Sequence, residues 1–352
     1  MPLTSPRDTI TQLTGLLLAG LLLFVAPTAF AGDPDPNSPI MVPNPGADLW
    51  RAARQRDGVH LTGQTQVRGV ETGVLITQTG EEFRNYRRND FIGNAGLVIA
   101  AAAGVILLFY LIRGRIAIPG GRSGKRIKRF TDFERTLHWF TAVVFVFLAL
   151  TGLTLLFGRF VVLPVFGPEA FGMIASACKE GHNLFGPLFL VGVVLLFGIW
   201  AASNLPARGD LKWLITGGGI VGKAHASAGY FNAGEKIWYW AVIVLGLTVS
   251  ISGLVLIFPI FGQGREVMQL ALIVHGIAAV LFIAGSFGHI YIGTIGTEGS
   301  LEGMTTGYVD EHWVEAHHDR WYAEVKGLPD PIDPGTADKG AKRVLHATPD
   351  KG

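Results

Sequence analysis

Two histidines share one long apolar stretch near the end of the sequence. His275 and His289 lie fourteen residues apart within 268–292, and no charged residue stands between them. In an α-helix the two rings would leave nearly the same face, about 21 Å apart along the axis. A polar ring inside a membrane span usually has a partner and a function. The spacing therefore predicts one helix that serves two metal centres at different membrane depths.

The composition predicts an all-α membrane protein. Of the 352 residues, 16% are charged and 49% are hydrophobic, whereas soluble domains carry about 25% charged residues. Cys178 is the one cysteine in the sequence. It excludes an internal disulfide, a cysteine-rich iron–sulfur site and covalent haem attachment through C-x-x-C-H. Any haem is therefore predicted to be bound non-covalently.

The N-terminal residues 1–31 have the pattern of a secretory signal peptide. Arg7 precedes an apolar core at 16–25, and Ala-Phe-Ala at 29–31 fits a cleavage site. An uncleaved first membrane helix is the alternative. Cleavage would leave residues 32–92 as an exported, periplasmic segment that serves as a partner-docking surface or a tether. Within it, residues 73–83 are predicted to form a hairpin or an extended strand.

Five further apolar stretches are predicted to cross the membrane, at 93–112, 137–157, 182–202, 236–258 and 268–292. The first is an extra N-terminal transmembrane helix, and the other four form a bundle over residues 137–292. The loop 113–136 between them is strongly basic, with eight positive side chains over 113–135. The positive-inside rule places this loop in the cytoplasm.

The remaining connections follow from that orientation. Residues 158–181 are predicted to form an outer loop, and residues 293–352 a cytoplasmic tail. His312, His317 and His318 lie in the tail beside Trp313 and Trp321, in what is predicted to be a surface-lying amphipathic helix. A partner contact or membrane contact is the favoured role of this helix, with zinc binding as the weaker alternative. The chain is thus predicted to be a multi-pass protein of the bacterial inner membrane, with a periplasmic mature N-terminus.

This topology sorts four intramembrane histidines by depth. His182 and His275 fall near the outer face, and His138 and His289 near the cytoplasmic face. Each pair is predicted to ligate one haem iron through imidazole nitrogens, which gives two b haems suited to electron transfer. The alternative is that each histidine forms a hydrogen bond across a helix interface. The predicted fold is therefore a four-helix transmembrane diheme cytochrome b bundle with one extra helix.

The loop before the fourth span is predicted to meet a quinone beside the inner pair. Asn232 can donate to a quinone carbonyl, and Gly234 allows close approach of a ring. Tyr230, Glu235 and Lys236 can supply protons or charge. A well-capped helix start is the equally weighted alternative for this loop.

Residues 128–325 resemble the gamma (cytochrome b) subunit of respiratory, membrane-bound formate dehydrogenases, in a long form with a signal and an exported segment. The resemblance rests on the stretches 129–139, 180–186 and 230–236, on the spacing of His275 and His289, and on the tail 302–321. It implies that His182 and His275 hold the outer haem and that His138 and His289 hold the inner haem. It also implies that Asn232, Gly234 and His289 contact a menaquinone or ubiquinone.

The resemblance implies an electron-transfer subunit of a formate:quinone oxidoreductase. Its partners would be an iron–sulfur (beta) subunit and a molybdenum or tungsten catalytic (alpha) subunit, which oxidises formate itself. Proton uptake for quinone reduction would come from the cytoplasm. The alternatives are the cytochrome b subunit of a nickel–iron hydrogenase or related molybdoenzyme, and a haem-free membrane anchor.

Overall fold

The computed structural model describes residues 78–219 and 226–332. The predicted signal peptide and residues 32–77 lie outside this part of the chain. The helices are α1 (Gln78–Asn85), α2 (Ile92–Arg113), α3 (Asp132–Trp200), α4 (Asp210–Ile215), α5 (Ala233–Ile257), α6 (Arg265–Tyr291), α7 (Ser300–Thr306), α8 (Glu311–His317) and α9 (Asp319–Lys326). The strands are β1 (Arg126–Lys128) and β2 (Tyr308–Asp310), and π-helical turns cover Tyr86–Phe91 and Ile292–Gly296.

Four helical stretches in the described residues are long and apolar enough to cross a membrane. They are Thr79–Arg113, Asp132–Trp200, Ala233–Ile257 and Arg265–Gly296. The all-α fold class is confirmed. A hairpin or extended strand was predicted for residues 73–83. Residues 78–83 instead lie in α1, and residues 73–77 lie outside the described part of the chain. The Glu81 carboxylate accepts hydrogen bonds from Arg84 one turn later, which supports this helix.

Helix α3 has 69 residues and would measure about 100 Å if straight, far more than the roughly 30 Å of a bilayer core. It is non-helical at Gly167, where φ is 80° and ψ is 173°. Contacts join its two halves in antiparallel order, pairing Glu134 with Trp200, Phe145 with Phe189, and Thr151 with His182. The chain therefore reverses at Gly167. The prediction that residues 158–181 form a loop is wrong, since they are helical on both sides of this turn, while their outer position stays a prediction. These residues are helical up to the turn because apolar side chains continue to the Gly-Pro pair at 167–168.

The described residues divide into two compact units. The first contains residues 78–100, Leu150–Asn183 and Phe258–Leu270. Here the ring of Phe157 lies 3.6 Å from where a Cβ on Gly96 would stand, so the start of α2 packs closely against α3.

The second unit contains Ala101–Ala149, Leu184–Ile257 and residues 271–332 of the described chain. Its core includes Val193, which is fully buried, with Phe189, Ile243 and Phe282 around it. A Cβ on Gly246 would lie 2.9 Å from Val193. The absence of a side chain there lets α5 pack directly on the second half of α3.

The tail folds back onto the basic loop. Strands β1 and β2 pair antiparallel, with Ile127 opposite Val309. Trp313 and Trp321 are 3% and 1% exposed and pack with these two residues. The surface-lying helix predicted for 312–321 is therefore wrong, because both indoles are buried against the small sheet.

Candidate functional site

His138 and His289 form a facing pair in the second unit. Their ring centroids are 6.1 Å apart, and the ring planes are inclined by 59°. Metal–nitrogen bonds of about 2 Å place two imidazoles on opposite sides of a metal with ring centres on the order of 6 Å apart. The separation therefore fits the two axial ligands of one haem iron. Nδ1 of His138 is buried and has no hydrogen-bond partner among the described residues, which disfavours the predicted alternative of a cross-helix hydrogen bond.

Trp238 on α5 fixes the orientation of His289. The indole stacks on the imidazole at 5.1 Å with an interplanar angle of 17°. A Cβ on Gly285 would lie 3.0 Å from the indole, so Gly285 leaves the room for Trp238 against α6. Trp238 is a functional residue that the sequence alone did not indicate.

His182 lies in the first unit, in the second half of α3. Two residues of the first half of α3, Thr151 and Gly152, contact its ring. Its Nδ1 lies 2.9 Å from the hydroxyl of Thr151. Its Cε1 lies 3.3 Å from where a Cβ on Gly152 would stand. A hydroxyl and an adjacent glycine thus orient the ring through Nδ1, and Nε2 is the nitrogen that suits metal ligation.

His275 lies on α6 in the second unit, and residues of α5 orient its ring in the same way. Its Nδ1 donates to the Val249 carbonyl at 2.9 Å and lies 3.2 Å from the Ser252 hydroxyl. Its Cε1 is 3.3 Å from where a Cβ on Gly253 would stand. A carbonyl can only accept, so the neutral ring carries its proton on Nδ1 and presents the Nε2 lone pair.

The two settings come from a repeated sequence pattern. Residues 150–157 read L-T-G-L-T-L-L-F, and residues 251–258 read I-S-G-L-V-L-I-F. In each copy, the hydroxyl residue and the glycine after it contact one of the two histidines predicted to be outer, His182 or His275. The repeat is a sequence signal for orienting residues that the histidine spacing alone missed. The pairing of His182 with His275 stays a prediction from topology.

The loop with the predicted quinone residues caps α5. The Asn232 side-chain oxygen accepts from the Glu235 amide, and the Glu235 carboxylate accepts from the Asn232 amide, both at 2.9 Å. This reciprocal arrangement satisfies otherwise unpaired amides at the start of the helix. The alternative of a capped helix start is therefore confirmed as the structural role of Asn232.

The other loop residues are also engaged. Lys236 is buried and forms an ion pair of 2.8 Å with Asp210 on α4. Tyr230 donates its hydroxyl hydrogen to the Arg129 carbonyl, and a Cβ on Gly234 would lie 2.8 Å from Trp213. Trp238, one turn beyond Gly234, reaches His289. The first turns of α5 thus lie beside the pair of His138 and His289.

Arg129 is enclosed by this loop and the tail. Its side chain is 4% exposed and bonds to the Glu235 carboxylate at 2.9 Å and the Tyr230 carbonyl at 3.0 Å. Five aromatic rings lie within 6.0 Å of the guanidinium carbon, those of Phe130, Tyr230, Phe231, Trp313 and Trp321. Cation–π attraction and the carboxylate together offset the loss of hydration of this charge.

His318 ties the tail to the same loop. It is fully buried, and its Nδ1 donates to the Gly229 carbonyl at 2.8 Å. Its Nε2 lies 3.9 Å from Glu235. Burial, with the nearby charge of Arg129, lowers the pKa of His318 to about 3. His318 is therefore neutral in the folded protein. Its hydrogen bond to Gly229 holds the tail against the loop at the start of α5. Among the residues described, no three His, Cys, Asp or Glu side chains form a metal-ion group, which disfavours zinc binding by the tail histidines.

Acidification should therefore destabilise the protein through His318. The ordinary histidine pKa of 6.5 applies to the unfolded chain, so protons favour unfolding as the pH falls from 6.5 toward 3. We expect a loss on the order of 2 kcal/mol at pH 5, at about 1.4 kcal/mol per pH unit. His318→Gln should flatten the dependence of the thermal midpoint in detergent on pH between 7.5 and 5. His312→Gln, at a half-buried tail histidine, is the control and should keep the pH dependence of the native protein. An unchanged slope in His318→Gln would contradict the assignment.

Comparisons with known proteins agree with this arrangement. Residues 129–307 match the model of the prokaryotic cytochrome b561 family. The chain belongs to this family. The match to the cytochrome b561 family begins at Arg129 and ends at Gly307, so it contains all four histidines and the loop before α5.

The chain is also similar to formate dehydrogenase cytochrome subunits. It is 30% identical over 204 residues to the formate dehydrogenase cytochrome b556(fdo) subunit of Escherichia coli K12, covering 57% of this chain and 93% of the relative. It is 28% identical over 208 residues to the nitrate-inducible cytochrome b556(Fdn) subunit of the same organism, with the same coverage. It is 28% identical over 207 residues to the cytochrome b556 subunit of Haemophilus influenzae, covering 56% and 83%. The resemblance to the gamma subunit is confirmed, while its long form with a signal and an exported segment stays a prediction. The chain is a membrane protein and an electron-transfer subunit of the b-haem type.

Proposed function

We propose that this chain is the membrane cytochrome b subunit of a formate dehydrogenase complex, linking an iron–sulfur subunit to a membrane quinone. The facing pair of His138 and His289, at 6.1 Å between ring centroids, carries the proposal. A membrane helix gains nothing from two facing, mutually unbonded imidazoles unless a ligand lies between them, because buried polar groups without partners are costly. The similarity to formate dehydrogenase cytochrome subunits supports the choice of complex.

Four histidines would hold two b haems. His138 and His289 would hold the inner one, and His182 and His275 the outer one. When bound, each b haem supplies one-electron transfer, and two imidazole ligands leave no open position for oxygen chemistry. Other residues of the chain would orient these ligands. The Thr151 hydroxyl contacts Nδ1 of His182, the Val249 carbonyl accepts from Nδ1 of His275, and Trp238 stacks on His289.

The quinone would bind beside the inner pair, at the start of α5. Its reduction to quinol takes up two electrons and two protons, and the protons would come from the cytoplasm. Asn232, Gly234, Tyr230, Lys236 and His289 are the proposed contacts. Since Asn232 and Lys236 are held by Glu235 and Asp210, these residues would present a rigid site rather than reach toward the ring.

The orientation in the membrane follows from the basic loop. Its positive charges would keep residues 113–136 and the tail in the cytoplasm, with the mature N-terminus and the iron–sulfur partner on the periplasmic side. Formate oxidation would occur in a separate molybdenum or tungsten subunit. Electron flow from the periplasmic partner to a cytoplasm-facing quinone site would then generate membrane potential.

Purification of the intact complex tests this proposal. We expect a formate-oxidising subunit and an iron–sulfur subunit to co-purify, and two b haems per chain in the pyridine haemochrome assay. Reduced-minus-oxidised spectra should show b bands on addition of formate. Co-purification of a nickel–iron enzyme would instead establish the hydrogenase alternative. Absence of b haem would establish the anchor alternative.

Removing the hydroxyl behind His182 should affect one haem. Thr151→Val keeps the shape of the side chain and removes the partner 2.9 Å from Nδ1. Loss of such a partner lowers metal affinity about 10- to 100-fold, so we expect a shifted potential and lower occupancy for the outer haem in redox titrations. Thr154→Val, which removes a hydroxyl that donates to the Leu150 carbonyl one turn earlier, is the control and should leave both haems unchanged. Identical titrations for the two variants would count against the proposed ligand.

A further inference from the structure

Helix α2 lies outside the stretch that matches the family, yet it packs on the end of α6 that carries His289. The family match begins at residue 129, and α2 ends at Arg113. Phe109 and Tyr110 of α2 both meet Tyr291 edge to face, each with ring centroids 6.1 Å apart. Tyr291 is the last residue of α6 and is 7% exposed. The extra helix therefore contacts the haem-bearing helix within one turn of the inner ligand.

Tyr291 is enclosed on its other side by the π-helical turn that follows α6. A Cβ on Gly296 would lie 2.9 Å from the Tyr291 ring. The Tyr291 hydroxyl is buried and has no hydrogen-bond partner in the described residues. The ring is thus held by packing, and the two rings from α2 supply a large part of it. Edge-to-face aromatic pairs add about 0.5–1.5 kcal/mol each beyond the area they bury.

The connector after α2 is joined to the same turn by backbone bonds. The Ile116 amide donates to the Gly296 carbonyl at 2.8 Å, and the Glu298 amide donates to the Ile116 carbonyl at 2.9 Å. The Glu298 carboxylate accepts from the Ile118 amide at 3.2 Å. Arg122 lies 3.5 Å from the same carboxylate. The segment that follows the haem helix is therefore fixed to α2 through its connector as well as through Tyr291.

The placement of Tyr291 determines what this contact does. Two residues correspond to about 200° of helix rotation, so Tyr291 and His289 leave opposite faces of α6. Packing on Tyr291 thus supports α6 from behind the ligand and fixes its rotation toward His138. A rotation of about 10° would move a group about 6 Å from the helix axis by about 1 Å. That displacement is large beside a metal–nitrogen bond of about 2 Å.

We propose that α2 positions His289 for the inner haem, with Phe109 and Tyr110 acting through the positioning residue Tyr291. This inference rests on the proposed function, because it assumes that His289 is a haem ligand. It gives the extra helix of this chain a role in the electron-transfer bundle in addition to any role in export or partner docking.

The test uses the full chain in its complex with two double variants. Phe109→Leu with Tyr110→Leu removes both rings that meet Tyr291. Leu108→Ala with Leu111→Ala changes side chains of the same helix that are 58% and 70% exposed, and is the matched control. Redox titration with electron paramagnetic resonance should show one altered haem in the first variant, with an affinity about tenfold lower, and no change in the control. Tyr291→Phe should behave as the native protein, because it keeps the ring.

Hydrogen exchange supplies a readout that does not depend on haem. Exchange over residues 289–298 should rise several-fold in the Phe109 and Tyr110 variant and stay unchanged in the control. Two unaltered haems with unchanged exchange would overturn the inference. Equal loss of both haems would also overturn it, since that result means general destabilisation. If the double variant fails to accumulate, the Phe109→Leu and Tyr110→Leu single variants decide by the same criteria. Absence of b haem in the native complex would refute the proposed function, while the exchange result would still report whether α2 holds the end of α6.

Discussion

Replacing His289 with alanine should abolish quinol formation by the complex while formate oxidation with a soluble acceptor continues. His289 supplies one of the two rings of the pair proposed to hold the inner haem and would also contact the quinone. Loss of a hydrogen-bond partner of a metal ligand already lowers the affinity for the metal about 10- to 100-fold. Loss of the ligand itself should therefore lower quinol formation by at least about 100-fold. The formate:quinone and formate:dye rates of the same preparation measure this directly. The amplitude of the b band in reduced-minus-oxidised spectra should fall by about half.

His312→Ala is the control for this substitution. His312 lies on the tail, and its Nδ1 lies 2.9 Å from the Gly121 carbonyl, outside the proposed haem and quinone sites. Both rates and the full b-band amplitude should survive in this variant. Quinol production by His289→Ala at the native rate would refute the assignment of His289. Equal loss of both rates would show that the substitution disrupts the complex rather than one electron-transfer step.

The positions of the isolated membrane helices could be predicted closely because hydropathy alone defines them. Helices α2, α5 and α6 begin and end within three residues of the stretches 93–112, 236–258 and 268–292. The turn in α3 could not be found in this way. Residues 158–181 contain few positive charges, as expected for an outer loop, and this pattern predicted such a loop there. The decisive feature is the backbone conformation of Gly167, and a glycine followed by proline is its sequence signal.

The candidate ligands could be predicted because fixed helix geometry relates spacing to depth. The side chains that orient the ligands lie on another helix or on the other half of α3, so the spacing between the histidines carries no information about them. Thr151 and Ser252 contact histidines that are 31 and 23 residues away in sequence. Comparing 150–157 with 251–258 would have revealed them, because the same local pattern recurs on two helices. Trp238 has no such signal, since an aromatic residue near a helix start is also typical of the membrane interface.

The tail shows where a sequence pattern misleads. Tryptophans and histidines at helical spacing are compatible with a surface helix and with a buried one. What decides between them is Arg129, whose charge requires partners that are 101 and 106 residues away at Tyr230 and Glu235. Burial of Trp313 and Trp321 around that guanidinium is a consequence of tertiary packing. The spacing of residues within one helix cannot predict such contacts between distant parts of the chain.

Replacing Arg129 with methionine should destabilise the region where the tail packs on the loop before α5 more than any surface substitution. The variant leaves the Glu235 carboxylate without the guanidinium at 2.9 Å and removes the cation from a cage of aromatic rings. Breaking a buried ion pair on one side costs about 3–5 kcal/mol. Because the Glu235 side chain is a third exposed, we expect the lower end of that range, about 3 kcal/mol. The thermal midpoint in detergent should fall accordingly.

A double-mutant cycle separates the charge from the packing. Glu235→Gln alone leaves a guanidinium that is 4% exposed without its carboxylate, and should be at least as destabilising as Arg129→Met. Combining the two should cost less than the sum of the single changes, because neither charge is then buried alone. Arg126→Leu, at an exposed position on β1, is the control and should change stability by less than about 0.5 kcal/mol. Strict additivity of the two single substitutions would contradict the ion pair, and it would leave the aromatic cage as the reason why Arg129 is buried next to the proposed quinone loop.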